Sequence, residues 1–202
     1  NALISFGNGI TLIGCDVRMM GVTRVFENTI NRKDALLTKN SLEVLKGINP
    51  KGEVCINYSE KNILFSMDDG SILTCQMIDE KYPDYTGAIP NGNDKYCIID
   101  SDQISNAIKR VGIFSPWMLF EFTDGSLLIS GEDVDYSQAA SETVDCEYYG
   151  KDFKIKLIGN QIVEFINKLK TKTIVMEFGK KNTPCVVRAE KSDDQFNLFL
   201  AM

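Results

Sequence analysis

The side chains that could bind a metal ion or share a proton form three acidic clusters in this 202-residue chain. The clusters are Asp68-Asp69, the run EDVD at 132–135, and Asp193-Asp194. Clustered carboxylates are the usual ligands of Ca²⁺ and Mg²⁺, but none of the three has the twelve-residue loop that ends in a Glu. Aspartate is also common in turns and at strand edges. The clusters therefore predict hairpin turns and edge charges, with no metal site and no cofactor.

The chain contains no histidine. This removes the commonest general base and metal ligand, together with every Ser-His or Cys-His nucleophile. The six cysteines form no CxxC pair, which indicates neither a zinc site nor a disulfide framework, so we expect buried free thiols. They are Cys15, Cys55, Cys75, Cys97, Cys146 and Cys185. Carboxylate or lysine chemistry stays open, but the composition favours a protein without catalytic residues.

Lysine and arginine recur on segments with helical spacing. The net charge of −6 averages over all faces and does not exclude one basic lining. Such cations are either ordinary solvated charges or contacts to phosphate groups, and spacing alone favours the first. The residues in question are Lys39, Lys109, Arg110, Lys168, Lys170 and Lys172.

The elements that carry these residues occur twice along the chain. Residues 2–13 (ALISFGNGITLI) align without a gap on residues 118–129 (MLFEFTDGSLLI). Each has alternating apolar residues around Asn8-Gly9 or Asp124-Gly125, the signature of a β-hairpin. Helical spacing follows in each copy, at 41–48 and at 162–169. The repeat predicts a duplicated domain with equivalent hairpins.

Three further strands are predicted after each short helix, and the second copy has additional elements at its start. The strands are 53–58, 62–67 and 71–78 in the first copy, and 173–178, 185–189 and 196–202 in the second. Before its hairpin, the second copy has a strand at 95–100 and a helix at 101–114, which Ser101 or Asp102 can cap. Because the first copy starts directly at its hairpin, we expect residues to be missing from the N-terminus.

A stiff connector is predicted at residues 81–90 (KYPDYTGAIP). Proline fixes φ and pushes the preceding residue towards an extended conformation, so Tyr82-Pro83 and Ile89-Pro90 bracket this connector. The predicted organisation is a domain at 1–82, a linker at 83–93 and a domain at 94–202.

Two such α+β repeats joined by this linker resemble the bacterial DNA polymerase III β subunit, the sliding clamp. The most specific motif is Tyr82-Pro83-Asp84-Tyr85 with Ile89-Pro90, where the family links its middle and third domains. The resemblance implies a DNA-clamp fold, with repeated domains of antiparallel sheets and short helices on the inner face. Residues 1–82 would be the middle domain without its first strand and helix. Residues 94–202 would be the third domain without its last few residues.

The resemblance implies a non-catalytic subunit that encircles duplex DNA and acts as a processivity factor of the replicative polymerase. The six cations would then lie on helices that line the pore, contacting phosphates without reading bases. The family ring is a head-to-tail homodimer closed between first and third domains, so we expect this chain alone to be monomeric or weakly associating. No apolar run approaches the ~18 residues of a membrane span, and we expect no membrane contact and a cytoplasmic protein.

The resemblance also implies an apolar cleft between the middle and third domains. There the polymerase, the clamp loader and repair proteins would dock short linear peptides. The loop CDVRMM at 15–20 stands where the family has an Asp-x-His-Arg-Leu-type loop, and Asp16 matches the aspartate of that motif. Two alignments of the remaining residues are open. Either Arg18-Met19 replaces the His-Arg pair, or the loop is one residue shorter and Arg18 is the arginine of the motif. Gln161 replaces a common tyrosine. The predicted cleft residues are Cys15, Asp16, Val17, Arg18, Met19, Met20, Pro83, Gly87, Ala88, Gln161, Cys185, Leu200, Ala201 and Met202.

Two alternatives from other functional classes stay open from the residues alone. A cytosolic enzyme on a duplicated scaffold would show two carboxylates at catalytic separation with shifted pKa values. A protein-interaction module without a DNA role would show the cleft without a basic inner face. A clamp of the eukaryotic type, closing as a trimer, fits the linker and the missing first elements less well.

Overall fold

The computed structural model describes residues 1–7, 9–16, 18–25, 33–133, 135–180, 183–192 and 194–200. The chain divides into two compact units. The first comprises Asn1–Val17 and Gly21–Asp84, and the second comprises Arg18–Met20 and Tyr85–Met202. Within the described ranges, no helix is long and apolar enough to cross a membrane.

The first unit contains two sheets and a short helix. Their strand orders are β3-β2-β1-β4 and β5-β6-β7, and the first two residues of β3 belong to the second unit. Alternate residues of the strands, such as Ile4, Phe6, Ile63 and Phe65, form its core. The elements are β1 (Ala2–Gly7), β2 (Gly9–Cys15), β3 (Met19–Val25), β4 (Ala35–Leu37), α1 (Lys39–Ile48), β5 (Val54–Tyr58), β6 (Asn62–Met67) and β7 (Ile72–Gln76).

The second unit contains two sheets and two longer helices. One sheet runs β12-β8-β14-β15-β16, with the start of β3 beside β16, and the other runs β11-β10-β9-β13. The elements are β8 (Lys95–Asp100), α2 (Ser101–Val111), β9 (Trp117–Thr123), β10 (Ser126–Asp133), β11 (Gln138–Asp145), β12 (Glu147–Tyr149), β13 (Phe153–Ile158), α3 (Gly159–Leu169), β14 (Thr173–Phe178), β15 (Cys185–Ala189) and β16 (Gln195–Phe199).

The strand order of the first unit is repeated in the second. The order β3-β2-β1-β4 corresponds to β11-β10-β9-β13, and β5-β6-β7 corresponds to β14-β15-β16. The β1–β2 and β9–β10 ladders are both antiparallel, which confirms the two predicted hairpins, but their registers differ by one residue: Gly7 pairs with Gly9, whereas Thr123 pairs with Ser126. Asn8, in the first predicted turn, lies outside the described residues. Three elements of the second unit, β8, α2 and β12, have no counterpart among the described residues of the first.

The core of the second unit lies between its sheets and under its helices. Phe120 and Phe122 on β9 are fully buried, and the Phe122 ring centroid lies 4.5 Å from that of Phe178 on β14. Burying one such side chain contributes about 2 kcal/mol. The helices complete this core through Ile108 of α2 and Ile166 of α3.

The N-cap of α2 is Asp100, so the prediction of Ser101 or Asp102 is wrong. The Asp100 carboxylate accepts hydrogen bonds from the N–H groups of Asp102 and Gln103. As the last residue of β8 it keeps an extended backbone, which is the geometry of an N-cap residue. The helix covers Ser101–Val111 and is three residues shorter than predicted.

The connector contains a 3₁₀ turn at Thr86–Ala88. The N–H of Ala88 donates to the C=O of Tyr85, and the N–H of Ile89 donates to the C=O of Thr86. The division between the compact units falls between Asp84 and Tyr85, within the predicted connector.

All six cysteines are free, but the prediction that they are buried is wrong for Cys15 and Cys55, which are exposed. Strand β5 alternates, with Cys55 on its outward face and Val54 and Ile56 half-buried on either side. Cys15 ends β2, where the strand leaves its sheet.

The acidic clusters form turns where they are described. The Asp69 carboxylate accepts a hydrogen bond from the N–H of Ser71, and this bond lowers the pKa of Asp69. The Asp133 carboxylate accepts from the N–H groups of Asp135 and Tyr136. These bonds confirm the turn prediction for both clusters. Asp193 lies outside the described residues.

Substituting Gly159 with alanine should destabilise the second unit. Gly159 begins α3, and a Cβ there would lie 2.6 Å from Met118 Sδ and 2.7 Å from Ile108 Cγ2. Both neighbours are fully buried and cannot move into solvent. We expect Gly159→Ala to lower the free energy of unfolding by about 1–3 kcal/mol in urea denaturation. Gly47→Ala in α1 is the matched control, because a Cβ there meets nothing within 4 Å. It should be neutral or stabilising by up to about 1 kcal/mol, and equal losses of stability in both variants would contradict the steric account.

Candidate functional site

Helices α2 and α3 lie side by side and run in opposite directions. The Gly159 position at the start of α3 contacts Ile108 near the end of α2. At the other end of the pair, the N–H of Ser101 donates to the C=O of Lys172 over 2.9 Å. The apolar stripe of each helix faces the core, so the opposite sides of both helices face solvent.

The solvent-facing sides of the two helices and the segment that follows α3 carry five of the cations that were predicted to contact DNA. Lys109 and Arg110 are in the last turn of α2, and Lys168 is in the last turn of α3. Positive charge is favoured at helix C-termini by the helix dipole. Because the helices are antiparallel, the two groups of cations lie at opposite ends of the pair, about 15 Å apart. We define the helix surface as the exposed residues Lys109, Arg110, Lys168, Lys170 and Lys172.

Lys170 terminates α3 in a left-handed backbone conformation. Its φ and ψ are 49° and 38°, and Asn49 ends α1 with a φ of 49°. Glycine is the residue most often found at such positions, because a Cβ is strained there. The turn directs the chain from α3 into the segment that carries Lys172.

Arg110 is ion-paired with Glu142 of β11. Its Nε donates to Glu142 Oε2 over 2.8 Å, and its Nη2 donates to the other carboxylate oxygen. The hydrogen bonds from Arg110 lower the pKa of Glu142, and the same bonds raise the pKa of Arg110. The pair is exposed and contributes little to stability, but it compensates the charge of Arg110. Sequence reasoning missed this partner because β11 was not predicted.

Lys39, the sixth predicted cation, lies on α1 of the first unit. Its Nζ is 3.6 Å from Glu43 Oε1, one helical turn further on, and both side chains are exposed. Such a pair is worth only a few tenths of a kcal/mol. The Lys39 ammonium group therefore stays accessible to an anion.

A second group of predicted residues meets in the second unit where the end of β16 lies beside the start of β3. The N–H of Leu200 donates to the C=O of Arg18 over 3.0 Å. Asn197 Nδ2 lies 3.4 Å from Met19 Sδ, and Met19 packs against the core. Leu200 is an apolar side chain that is 47 % exposed. We define the strand-edge surface as Arg18, Met19 and Leu200.

Arg18 also contacts Trp117, the one tryptophan of the sequence. Its Cζ lies 5.2 Å from the centroid of the indole ring, within the range of a cation–π interaction. Trp117 in turn lines an open cavity of about 460 Å³ together with Leu119, Glu132 and Lys156. No local sequence pattern indicates this cavity, because it needs side chains from four separate strands.

The other predicted cleft residues differ in exposure. Cys185 is fully buried in the core, so its side chain cannot contact a ligand at the surface. Burial also raises the pKa of the Cys185 thiol. Met20 is buried as well. Gln161 is half-buried on the first turn of α3, whereas Gly87 and Ala88 are exposed in the 3₁₀ turn.

The remaining predicted cleft residues belong to the first unit or lie outside the described part of the chain. Cys15, Asp16 and Pro83 are exposed in the first unit. Val17, Ala201 and Met202 lie outside the described residues.

Residues 86–202, more than half of the chain, match the family described as DNA polymerase III beta subunit, C-terminal domain. A curated beta sliding clamp from Buchnera aphidicola subsp. Acyrthosiphon pisum is 21% identical over 197 residues. That alignment covers 94% of this chain and 53% of the relative. The chain therefore spans about half the length of the curated relatives it matches.

Solved structures share the fold over the whole chain. A DNA polymerase sliding clamp from Pseudomonas aeruginosa with ligand has a TM-score of 0.92 at 20% identity, covering 100% of this chain and 57% of that one. A sliding clamp from the same organism bound to griselimycin also has a TM-score of 0.92 at 20% identity, covering 100% and 56%. These matches confirm the predicted α+β clamp fold.

Replacing Arg18 with alanine should change the fluorescence of Trp117. Without the guanidinium group over it, the indole becomes more accessible to water, and we expect a shift of its emission to longer wavelength. Removing the cation–π interaction should cost about 0.5–1 kcal/mol of stability. Arg24→Ala, at an exposed arginine on β3, is the matched control and should leave the emission unchanged. An unchanged spectrum in Arg18→Ala would show that the interaction is not formed in solution.

Proposed function

The chain belongs to the family of the DNA polymerase III β subunit, and we propose that it serves DNA replication as part of a sliding clamp that encircles duplex DNA. The match of the family over residues 86–202 carries this proposal. A clamp tethers the polymerase to its template and catalyses nothing. The proposed role therefore needs surfaces for DNA and for partner proteins.

The helix surface is the proposed contact with DNA. Its lysines are exposed on long flexible stems, so they can approach phosphate oxygens without fixing the orientation of the duplex. Two exposed carboxylates, Asp102 and Glu164, also lie on these helices, so cations outnumber anions. A modest excess of positive charge suits a protein that must attract DNA and still slide along it. Arg110 should contribute least, because Glu142 already binds it.

The strand-edge surface is the proposed docking site of short peptides from the polymerase, the clamp loader and repair proteins. Leu200 offers exposed apolar area, and the unbranched thioether of Met19 can adapt to several ligand shapes. Gln161, Gly87 and Ala88 are retained in this proposal, as are Cys15, Asp16 and Pro83. The clamp of Pseudomonas aeruginosa that was solved with griselimycin supports ligand binding by this fold.

The outer edge of β11 is the proposed contact of the second unit with a neighbouring subunit in a homodimeric ring. Strand β11 is the outermost of its sheet within the described residues. Ile113, which follows α2, is 77 % exposed. Unpaired strand edges and exposed apolar side chains are both typical places for another chain to add.

Removing the lysines of the helix surface should weaken DNA binding. We expect Lys168→Ala/Lys170→Ala/Lys172→Ala to reduce the affinity for a labelled duplex. The negative slope of log K, the association constant for DNA, against log salt concentration should become shallower by about 0.9 for each phosphate that the variant no longer neutralises. Fluorescence anisotropy titrations at a series of low salt concentrations measure both quantities, and two duplexes of unrelated sequence should give equal results.

A matched control removes three exposed lysines outside α2 and α3, at Lys151, Lys156 and Lys191. It changes the net charge by the same amount and should affect binding less. Equal effects would mean that net charge, and not the helix surface, governs DNA binding. Peptide binding with no DNA binding at any salt concentration would favour a protein-interaction module.

Peptide docking is tested with a labelled Gln-Leu-x-Leu-Phe peptide titrated with the chain. We expect saturable binding in the micromolar range, abolished when the apolar peptide residues are replaced by alanine. Leu200→Ala should weaken it roughly 5–10-fold, as expected when about 1 kcal/mol of apolar burial is removed. Ile72→Ala, at another exposed apolar residue, is the matched control and should bind normally. Unchanged binding by Leu200→Ala would exclude the strand-edge surface.

A further inference from the structure

The cavity beside Trp117 lies on the face of the β11-β10-β9-β13 sheet that points away from the core. Met118 on β9 is fully buried in the core, so its neighbours Trp117 and Leu119 project from the opposite face of the sheet. Leu119 pairs with Ser130 of β10 on one side and with Lys156 of β13 on the other. These residues therefore share the outward face, where they line the cavity.

Small residues of β10 and β11 leave the space that the cavity occupies. They are Ser130, Gly131, Ala139, Ala140 and Ser141. Trp117 and Leu119 border the same space with large apolar side chains. The volume of about 460 Å³ lies within the range of ligand sites in proteins. An apolar side chain of a ligand can therefore lie over the small residues and against the indole ring.

Two opposite charges also line the cavity, Lys156 on β13 and Glu132 on β10. Lys154, two residues before Lys156 on the same face, is ion-paired with Glu121 of β9. Within the part of the chain that the structure describes, neither Lys156 nor Glu132 has an ion-pair partner. Both charges are therefore available to a ligand that carries the complementary charges.

The separation of these two charges matches an extended peptide. Lys156 and Ser130 flank Leu119 on neighbouring strands, and Glu132 is two residues beyond Ser130 on β10. With strands about 4.8 Å apart and a rise of about 3.4 Å per residue, the Cα atoms of Lys156 and Glu132 lie about 12 Å apart. Residues i and i+4 of an extended chain are about 13 Å apart, and residues i, i+2 and i+4 point to the same side. Such a peptide can present two charges to Lys156 and Glu132 with an apolar side chain between them.

We propose that this cavity binds an extended segment of a partner protein in which an apolar residue lies two positions from an acidic residue and two positions from a basic one. The apolar side chain packs against Trp117 and Leu119. The acidic side chain pairs with Lys156, and the basic side chain pairs with Glu132. The site is separate from the proposed docking of peptides at the strand-edge surface, because it is lined by other residues.

The test uses the fluorescence of Trp117, the one tryptophan of the sequence. Titration with the peptide acetyl-Glu-Thr-Leu-Thr-Lys-amide should shift the emission to shorter wavelength until it saturates, because the leucine side chain displaces water from the indole ring. Replacing the leucine of the peptide with glycine, or its lysine with glutamate, should raise the dissociation constant about fivefold or more. No saturable shift at millimolar peptide, or equal dissociation constants for the three peptides, would overturn the proposal.

Charge reversal in the protein separates ion pairing from adhesion to an apolar face. Lys156→Glu should weaken binding of the Glu-Thr-Leu-Thr-Lys peptide and should bind acetyl-Lys-Thr-Leu-Thr-Lys-amide instead, because both charges at the cavity are then negative. This gain of binding also shows that the variant is folded. Lys191→Glu, at an exposed lysine in the turn after β15, is the matched control with the same change in net charge and should bind like the unmodified chain. Equal effects of the two substitutions, or no binding of the Lys-Thr-Leu-Thr-Lys peptide by Lys156→Glu, would contradict the assignment of the charges.

Discussion

The close packing at the start of α3 positions the candidate DNA contact. Gly159 lets the helix begin directly against Met118 and Ile108, so α3 lies on the core and beside α2 without an intervening side chain. The antiparallel arrangement of the helices follows from this contact and from the bond between Ser101 and Lys172. The cations of both helix ends consequently share one solvent-facing side. Packing of this kind holds the helix backbones in place, although the stems of the lysines on them are flexible.

The cations on this side of the helices differ in how freely they can bind a phosphate group. Arg110, the cation best suited to a bidentate phosphate contact, is bound by Glu142 across the gap to β11. The lysines Lys168, Lys170 and Lys172 have flexible stems and only point charges. Such an arrangement limits how tightly any phosphate is held. This limit agrees with a ring that keeps DNA by topology and not by affinity.

Much of the fold could be predicted because its signals are local. The Asp124-Gly125 turn and the alternating residues around it identify a hairpin, and apolar spacing identifies the helices. Strand β4 was missed because Ala35–Leu37 is buried at every position and shows no alternation. Strand β11 was missed because its sequence is mostly polar and exposed. The contacts between Arg18 and Trp117 and between Arg110 and Glu142 depend on long-range pairing, so no local pattern could have indicated them. The cleft and DNA-facing residues therefore came from the resemblance, while their exposure and partners came from the structure.

The left-handed backbone at the end of α3 lowers the stability of the helix end that carries a proposed DNA contact. Lys170 occupies a backbone conformation that costs a side chain with a Cβ about 1 kcal/mol, and glycine would remove that strain. The first unit has Asn49, a better-tolerated residue, at the corresponding helix end. Replacing Lys170 with glycine would relieve this strain and would delete a proposed phosphate contact with it. At this position greater stability and the proposed contact with phosphate are opposed, because the glycine that relieves the strain carries no charge.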